Sequence, residues 1–433
     1  MLESHLRVPN ICWKADDFDP LDVESGMVVA PNEYADLTGR FATARQDGDR
    51  VLLTRDKLGL NKLFFAIDPV QGVVVANYLI DLVDGGIPFH AVYSVPAGAT
   101  IEVNLGRREI AIHRHYSLPR TAGSRADPAR VLKTIGERLN RHMELIAETF
   151  RDAKVVICLS GGADSGLVAA HAREHFPTAV AYTYTYADAT LAPSEDAVFA
   201  EQLAAHLGLR FRLVKASPRE VVTAVRRAIC AGQDWRDFNV HCAIVNEILA
   251  GEIAADVAHD TQNHRTVVLT GDLMNEILGD YAPVRYRNTV YYQLPALNPD
   301  RLRISLVRGV QTGDREVGVF RSHGLDVVQL YALVVEELLQ LPSSIVKADV
   351  VHALAGDRLP AQIYGRPKAR AQIGDPEVRR GILPLLVDSG RNSRWLEDEF
   401  CDIFKVSDRS MLRRFIRAGV YRYPTCFPGS THG

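Results

Sequence analysis

The feature that most constrains the fold is an apolar run that leads directly into a glycine turn. Residues 154–159 read Lys-Val-Val-Ile-Cys-Leu, and Ser160-Gly-Gly-Ala-Asp-Ser165 follows them and opens a helical pattern. A continuous apolar run of this length is typical of a strand in a parallel sheet that is covered on both faces. Glycines allow close approach to a ligand, and the N–H groups that begin the next helix attract phosphate. This segment therefore predicts a nucleotide-binding α/β domain.

Strands and helices alternate around this turn. Apolar residues at helical spacing predict a helix from residue 128 to 146, ahead of the first strand. Further strands are predicted at 179–184, 210–214 and 266–270, and helices at 165–174 and 197–207. This alternation predicts a doubly wound parallel sheet, which binds ligands beyond the carboxyl ends of its strands. Residues from about 300 to 433 are predicted to be mainly helical.

The first 118 residues have a different pattern. Short β-branched and aromatic runs are separated by Gly, Pro and Asp turns, and they predict strands at 50–54, 62–67, 72–76 and 99–104. Residues 119–128 are polar with proline at both ends, as in a linker. We therefore expect a mostly-β domain over residues 1–120 and an α/β domain over residues 128–433.

Composition narrows the functional classes. The formal net charge of −3 provides no basic field for nucleic acid, and no apolar run is long enough to span a membrane. The six cysteines contain no CxxC pair, which favours reduced thiols over a disulfide framework or a zinc site. The N-terminus shows no secretion signal. We expect a soluble, cytoplasmic protein without nucleic-acid or membrane partners.

The glycine turn is the best candidate for the nucleotide site. Its serine hydroxyls can donate to phosphate, and Asp164 can hold Mg²⁺. The turn is neither a Walker A loop nor a GxGxxG fingerprint. The residues predicted to hold the nucleotide are Leu159, Ser160, Gly161, Gly162, Asp164 and Ser165, with Tyr184 and Gly271 at the ends of neighbouring strands.

The turn resembles the pyrophosphatase loop of the N-type ATP pyrophosphatases. Other segments resemble, in the same order, motifs of the glutamine-hydrolysing asparagine synthetases and their relatives, the β-lactam synthetases. "LxGxFAF" and "RDxxGxxPLYY" correspond to 37–42 and 55–65, and "LPPG" and "YW" to 95–98 and 115–116. "LSGEGADELFGGY", "AHGLE" and "LPxxIxxRPK" correspond to 269–281, 322–326 and 359–368.

This resemblance implies a glutaminase-like (Ntn) N-terminal domain and an ATP pyrophosphatase domain that adenylates a carboxylate. It implies ATP and Mg²⁺ as cofactors, a small-molecule or peptide acid and an amine or ammonia as substrates, and a homodimer. Lys368 corresponds to the lysine that stabilises charge during acyl transfer. Asp272 and Asp326 correspond to acidic residues of the acyl-adenylate pocket. Asp164, Asn275 and Glu276 would form the metal site. One-step amide-forming enzymes of this kind point to natural-product biosynthesis.

Two departures modify these expectations. Position 2 is Leu and Cys12 is internal, so we expect a degenerate N-terminal domain without glutaminase activity. Asn275 replaces a metal-binding Asp, which weakens a site for a hard cation. A degenerate nucleotide-binding regulatory or scaffold subunit, and adenylation of an amide or ureido oxygen, therefore stay open as alternatives. Residues 233–242 are predicted to line the acid site or to form a helix cap with the following helix.

Overall fold

The computed structural model describes residues 1–14, 20–21, 37–116, 127–187, 192–258, 265–278, 283–292, 313–342, 344–364, 380–417 and 420–428. The chain divides into two compact units. Unit 1 contains Met1–Leu118, Arg303–Gly318 and Glu397–Gly433, and unit 2 contains Pro119–Leu302 and Val319–Leu396. The sequence-based division places one boundary near residue 120, whereas the structure groups 303–318 and 397–433 with the N-terminal unit.

The N-terminal part of unit 1 consists of short strands, as predicted. Its elements are β1 (Leu2–His5), β2 (Ile11–Lys14), β3 (Pro20–Leu21), β4 (Leu37–Arg40), β5 (Ala42–Asp47), β6 (Arg50–Arg55), β7 (Phe64–Asp68), β8 (Gly72–Ala76), α1 (Leu79–Asp84), β9 (Tyr93–Ser94), β10 (Ala99–Asn104) and β11 (Glu109–Arg114).

Two four-stranded sheets make up most of this part, with the orders β1-β8-β7-β9 and β11-β10-β6-β5. One hydrophobic cluster takes Phe65 and Val75 from the first sheet and Leu53 and Ile101 from the second. The two sheets therefore share a core, since alternate residues of each strand point into it. The strand β1 pairs parallel with β8, a pairing that the sequence pattern did not indicate.

Unit 2 contains the predicted alternation of strands and helices. Its elements are α2 (Pro128–Thr149), β12 (Lys154–Cys158), α3 (Ala163–His175), β13 (Val180–Tyr186), α4 (Glu195–His206), β14 (Arg210–Ala216), α5 (Pro218–Gly232), α6 (Asp237–Ala258), β15 (Thr266–Thr270), α7 (Met274–Leu278), β16 (Val284–Tyr286) and β17 (Thr289–Tyr291). After α8 (Gly313–Ser322) follow β18 (Asp326–Gln329), α9 (Val335–Leu338), α10 (Lys347–Ala355) and α11 (Ile382–Asp388). The chain then returns to unit 1 at residue 397, within α12 (Ser393–Ile403), and continues with α13 (Ser410–Phe415), β19 (Ile416–Arg417) and β20 (Val420–Tyr421).

The sheet of unit 2 is parallel and has the order β14-β13-β12-β15-β18 among the described strands. The strand that precedes the glycine turn, β12, lies at its centre. Cys158 is level with Tyr182 on one side, and Ile157 is level with Leu269 on the other. The predicted α/β class and the predicted doubly wound parallel sheet are confirmed. The fifth strand, β18, lies in a region that the sequence predicts to be mainly helical.

The described C-terminal residues of unit 1 join its core through aromatic side chains. Phe415 stacks on Phe64 with ring centroids 6.2 Å apart and lies 4.6 Å from the ring of Phe89. Phe400 contacts Phe89 edge-on at 6.0 Å. These contacts explain why residues 397–433 group with the N-terminal unit, since aromatic side chains bury large apolar surfaces.

Among the described residues, no helix is both long enough and apolar enough to cross a membrane.

Truncation of Phe415 is expected to destabilise unit 1. Phe415→Ala leaves a cavity between Phe64 and Phe89, and we expect it to lower the free energy of unfolding by about 3–5 kcal/mol. Urea unfolding followed by circular dichroism measures the change. Arg413→Ala is the matched control, because Arg413 is exposed on the same helix. Equal effects of the two substitutions would contradict the packing role of Phe415.

Candidate active site

The turn after β12 is held in shape by its own serine residues. The Ser160 N–H donates to Oγ of Ser165 at 3.0 Å, and the two serine hydroxyls lie 2.9 Å apart. Gly162 precedes the first turn of α3, which contains Asp164. The backbone N–H groups of this first turn point towards the carboxyl edge of the sheet, where an anion is stabilised by the helix dipole.

Gly161 is required by both its conformation and its surroundings. Its φ is +69°, a region that residues with a side chain rarely adopt. A Cβ at this position would lie 2.8 Å from the backbone N of Ala200 and would also collide with the carbonyl oxygen of Asp196, both in α4. The turn therefore packs backbone against backbone, and only glycine fits there.

The second glycine turn, which follows β15, packs directly against the first. A Cβ on Gly271 would lie 2.9 Å from the backbone N of Ser165 and 3.1 Å from the carbonyl carbon of Asp164. The structure thus brings Gly271, which is predicted to help hold the nucleotide, to the start of α3. Leu273, two residues later, is buried and has a φ of +82°, although "LSGEGADELFGGY" has glycine there. Such a backbone is strained for leucine.

An ammonium group lies between two of the predicted metal ligands. Nζ of Lys347 donates to Oδ2 of Asp164 at 3.0 Å and to Oδ1 of Asn275 at 2.6 Å. Asp164 is buried, with 6% of its surface exposed. The Tyr331 hydroxyl donates to the carbonyl oxygen of Asp164 at 2.7 Å, which fixes the first turn of α3 beneath the ammonium.

The two oxygens that the ammonium bridges do not form a site for a protein-bound Mg²⁺ ion. Mg²⁺ requires close octahedral coordination by oxygen, and it binds carboxylates more strongly than neutral amides. Asn275 supplies a neutral oxygen, and the Lys347 ammonium occupies the space between that oxygen and Asp164. Within the described ranges, no group of three or more His, Cys, Asp or Glu side chains could hold a metal ion. We therefore derive no catalytic step through a resident metal.

Tyr184 and Asp272 lie at the carboxyl edge of the sheet. Tyr184 is two residues beyond Tyr182, which is level with the last residue of β12. Its hydroxyl is buried and has no hydrogen-bond partner among the described residues, and burial raises the pKa of its phenol. Asp272 follows Gly271 in the second turn and is partly exposed. Both are predicted site residues, and the structure places them at this edge.

Asp326 does not lie at the carboxyl edge of the sheet. It begins β18 and is level with Val267, near the amino end of β15, so about 13 Å of strand separates it from the second glycine turn. Its carboxylate is buried and forms ion pairs with Arg321, at 2.8 Å, and with Arg265. The prediction that Asp326 lines the acyl-adenylate pocket is not supported by this position. The residue of β18 beside Thr270 is Gln329.

Lys368 and residues 365–379 around it lie outside the described residues, and so does the end of the 269–281 motif. Glu276 is buried in α7. The sequence analysis did not identify Lys347. It begins a helix at a position that no motif marks, and only the fold shows that it meets Asp164, which is 183 residues away.

Residues 233–242 adopt the turn-and-helix alternative. Asp234 is buried, pairs with Arg236 at 2.6 Å and accepts a hydrogen bond from Asn239 at 2.6 Å, and α6 begins at Asp237. His241 is enclosed, and its Nδ1 lies 2.7 Å from the Tyr292 hydroxyl. Burial lowers the pKa of His241 to about 3, so its imidazole is neutral near pH 7.

The described geometry can be compared with known proteins. Residues 146–315 match the family model "Asparagine synthase". This segment contains the central strand, the serine-glycine turn and the second glycine turn. The rest of the chain lies outside this match. It is also 33% identical, over 153 residues, to the carboxyethyl-arginine beta-lactam-synthase of Streptomyces clavuligerus. The aligned segment covers 31% of this chain and 28% of that relative. The resemblance to asparagine synthetases and β-lactam synthetases is confirmed.

Two solved structures are similar over part of the chain. The NMN synthetase from Francisella tularensis has a TM-score of 0.29 at 13% identity and covers 66% of this chain and 91% of its own. The NH3-dependent NAD synthetase from Campylobacter jejuni subsp. jejuni NCTC 11168 has a TM-score of 0.25 at 18% identity and covers 35% of this chain and 61% of its own. At these TM-scores neither structure adds to the assignment.

Substitution of Gly161 is expected to distort the turn. Gly161→Ala introduces a side chain at positive φ, which costs about 1–2 kcal/mol, and the collision with α4 adds to this. We expect a lower melting temperature in thermal unfolding. Gly162→Ala is the matched control, because its φ is −97° and its Cβ would meet nothing closer than 3.5 Å. Equal melting temperatures for the two variants would disprove the close backbone contact at Gly161.

Buried neutral His241 is expected to make stability depend on pH. Its folded pKa lies below the unfolded value of about 6.5, so its contribution is present above that value and is lost as the pH falls. Between pH 7 and pH 5 this group alone lowers the free energy of unfolding by about 2 kcal/mol. His241→Gln should reduce the acid-induced loss by that amount in urea unfolding. The same substitution at exposed His206 should leave the loss unchanged.

Proposed function

We propose that this chain is an ATP-dependent amide-forming ligase that activates a carboxylate as an acyl-adenylate. A carboxylate oxygen attacks the α-phosphorus of ATP, the bond from that phosphorus to the α–β bridging oxygen breaks, and pyrophosphate leaves. The nitrogen of an amine or of ammonia then attacks the acyl carbon. The nitrogen loses a proton, and AMP leaves with the original carboxylate oxygen.

The observation that carries this proposal is the arrangement at the carboxyl end of β12. Backbone N–H groups of the turn, the positive end of the 13-residue helix α3 and the Lys347 ammonium converge there. Pyrophosphate leaves with several negative charges, and cationic groups that are already in place stabilise such charge without reorganisation. Tyr184 and Asp272 lie at the same edge. They provide an aromatic group and a carboxylate that can contact the rest of the nucleotide and the acid substrate.

The reacting carbon needs its own stabilisation. By resemblance to "LPxxIxxRPK", Lys368 supplies a cation to the charge that develops as the amine attacks. Asp272 is the carboxylate at the same edge that can orient the amine or accept its proton. Asp326 has no part in this proposal, because its two arginine partners hold it at the opposite end of the strands.

The curated relative supports the class of reaction. It is named a carboxyethyl-arginine beta-lactam-synthase, a name that describes amide formation within one molecule. Because the aligned segment covers 28% of that relative, its substrate is not transferred to this chain. We propose the carboxylic acid and the amine as classes, with the amine in the same molecule or in a second one, and a role in natural-product biosynthesis.

ATP–pyrophosphate exchange tests the proposal. We expect labelled pyrophosphate to enter ATP when N-carboxyalkyl amino acids or short peptides are supplied, and AMP to form once an amine is present. Lys368→Ala should lower the rate of amide formation by about 10²–10³-fold, because it removes one cation from the transition state. Lys133→Ala is the control, because Lys133 is exposed on α2. Formation of ADP and phosphate in place of AMP and pyrophosphate would refute the proposal.

A further inference from the structure

The cation that lies between Asp164 and Asn275 is a lysine side chain of the protein itself. We propose that the Lys347 ammonium takes the place of a protein-bound divalent metal ion in this site, so that the nucleotide binds with little dependence on Mg²⁺. This inference rests on the function proposed above and concerns how the same site handles the charge of ATP.

The geometry is that of a bridging cation. Nζ of Lys347 lies 3.0 Å from Oδ2 of Asp164 and 2.6 Å from Oδ1 of Asn275, so one ammonium contacts both oxygens. The lysine and aspartate side chains are 13% and 9% exposed, which limits screening by water. Hydrogen bonds between ionised groups are stronger than neutral ones, and low exposure strengthens this pair further.

The two bridged oxygens suit a monovalent cation. One belongs to a carboxylate and the other to a neutral amide, so the two ligands together carry a single negative charge. A Mg²⁺ ion on the same two oxygens would lie within a few ångström of the ammonium, and like charges at that distance repel strongly. With Asp at position 275 the site would carry one more negative charge and would favour a divalent ion. Asn275 and Lys347 are therefore complementary to each other.

The position of the ammonium is fixed by the residues that surround Asp164 and by the helix that carries Lys347. Asp164 is in the first turn of α3, and the Tyr331 hydroxyl holds its carbonyl oxygen at 2.7 Å. Lys347 is the first residue of α10, so its backbone is anchored by a helix. The side chain reaches the turn that is proposed to receive the phosphates of ATP. The positive charge of the ammonium thus acts on a phosphate group bound there.

Binding of α,β-methylene-ATP, which cannot be cleaved at the reacting bond, tests this inference by isothermal titration calorimetry. Each protein is titrated in saturating Mg²⁺ and in excess EDTA. For the wild type we expect dissociation constants within about threefold of each other, because the resident ammonium is present in both cases. In EDTA, Lys347→Met should weaken binding by about tenfold or more, the loss expected for a charge-assisted contact. Lys133→Met is the matched control.

The double variant Lys347→Met with Asn275→Asp provides the converse test. It restores two carboxylates and removes the ammonium, so its binding should become dependent on Mg²⁺, weakening by about tenfold or more in EDTA. Wild-type binding that requires Mg²⁺ would overturn this inference alone, and this measurement needs no variant to fold. Absence of binding with and without Mg²⁺ would overturn the proposed function as well. Unchanged binding by Lys347→Met in EDTA would show that the ammonium does not hold the nucleotide.

Discussion

The site depends on close contact between backbones that have no side chain between them. Gly161 lies against the backbone of α4, and Gly271 lies against the first turn of α3. These two contacts bring the ends of β12 and β15 and the start of α3 together. A Cβ on Gly161 would collide with α4, and a Cβ on Gly271 would collide with the first turn of α3. The arrangement of this edge of the sheet therefore depends on two glycines.

Three polar groups lie together at the serine-glycine turn. They are the carboxylate of Asp164, the amide oxygen of Asn275 and the ammonium of Lys347, and the buried Tyr331 hydroxyl holds the backbone carbonyl of Asp164. One acidic residue that the sequence placed here, Asp326, is instead paired with Arg265 and Arg321 at the other end of the strands.

Sequence reasoning was successful where the signal was local. The buried run 154–159 and the glycine turn indicated the central strand and its helix, because a covered parallel strand must be apolar throughout and a phosphate turn must be small. It failed for Asp326, since a motif gives the order of residues and not the end of the strand on which they lie. It missed Lys347 because a single lysine at the start of a helix is indistinguishable from an exposed one until the fold places a carboxylate beside it.

Local sequence patterns are enough to predict the alternation of strands and helices, the β-rich first part and the position of the glycine turns, since each is encoded within a few neighbouring residues. Tertiary packing was needed to group residues 397–433 with unit 1, through the contacts of Phe415 with Phe64 and Phe89. It also decided that the cation beside Asp164 is an ammonium from a residue 183 positions away. Both outcomes depend on contacts between distant segments, and the packing that creates such contacts leaves no pattern along the chain.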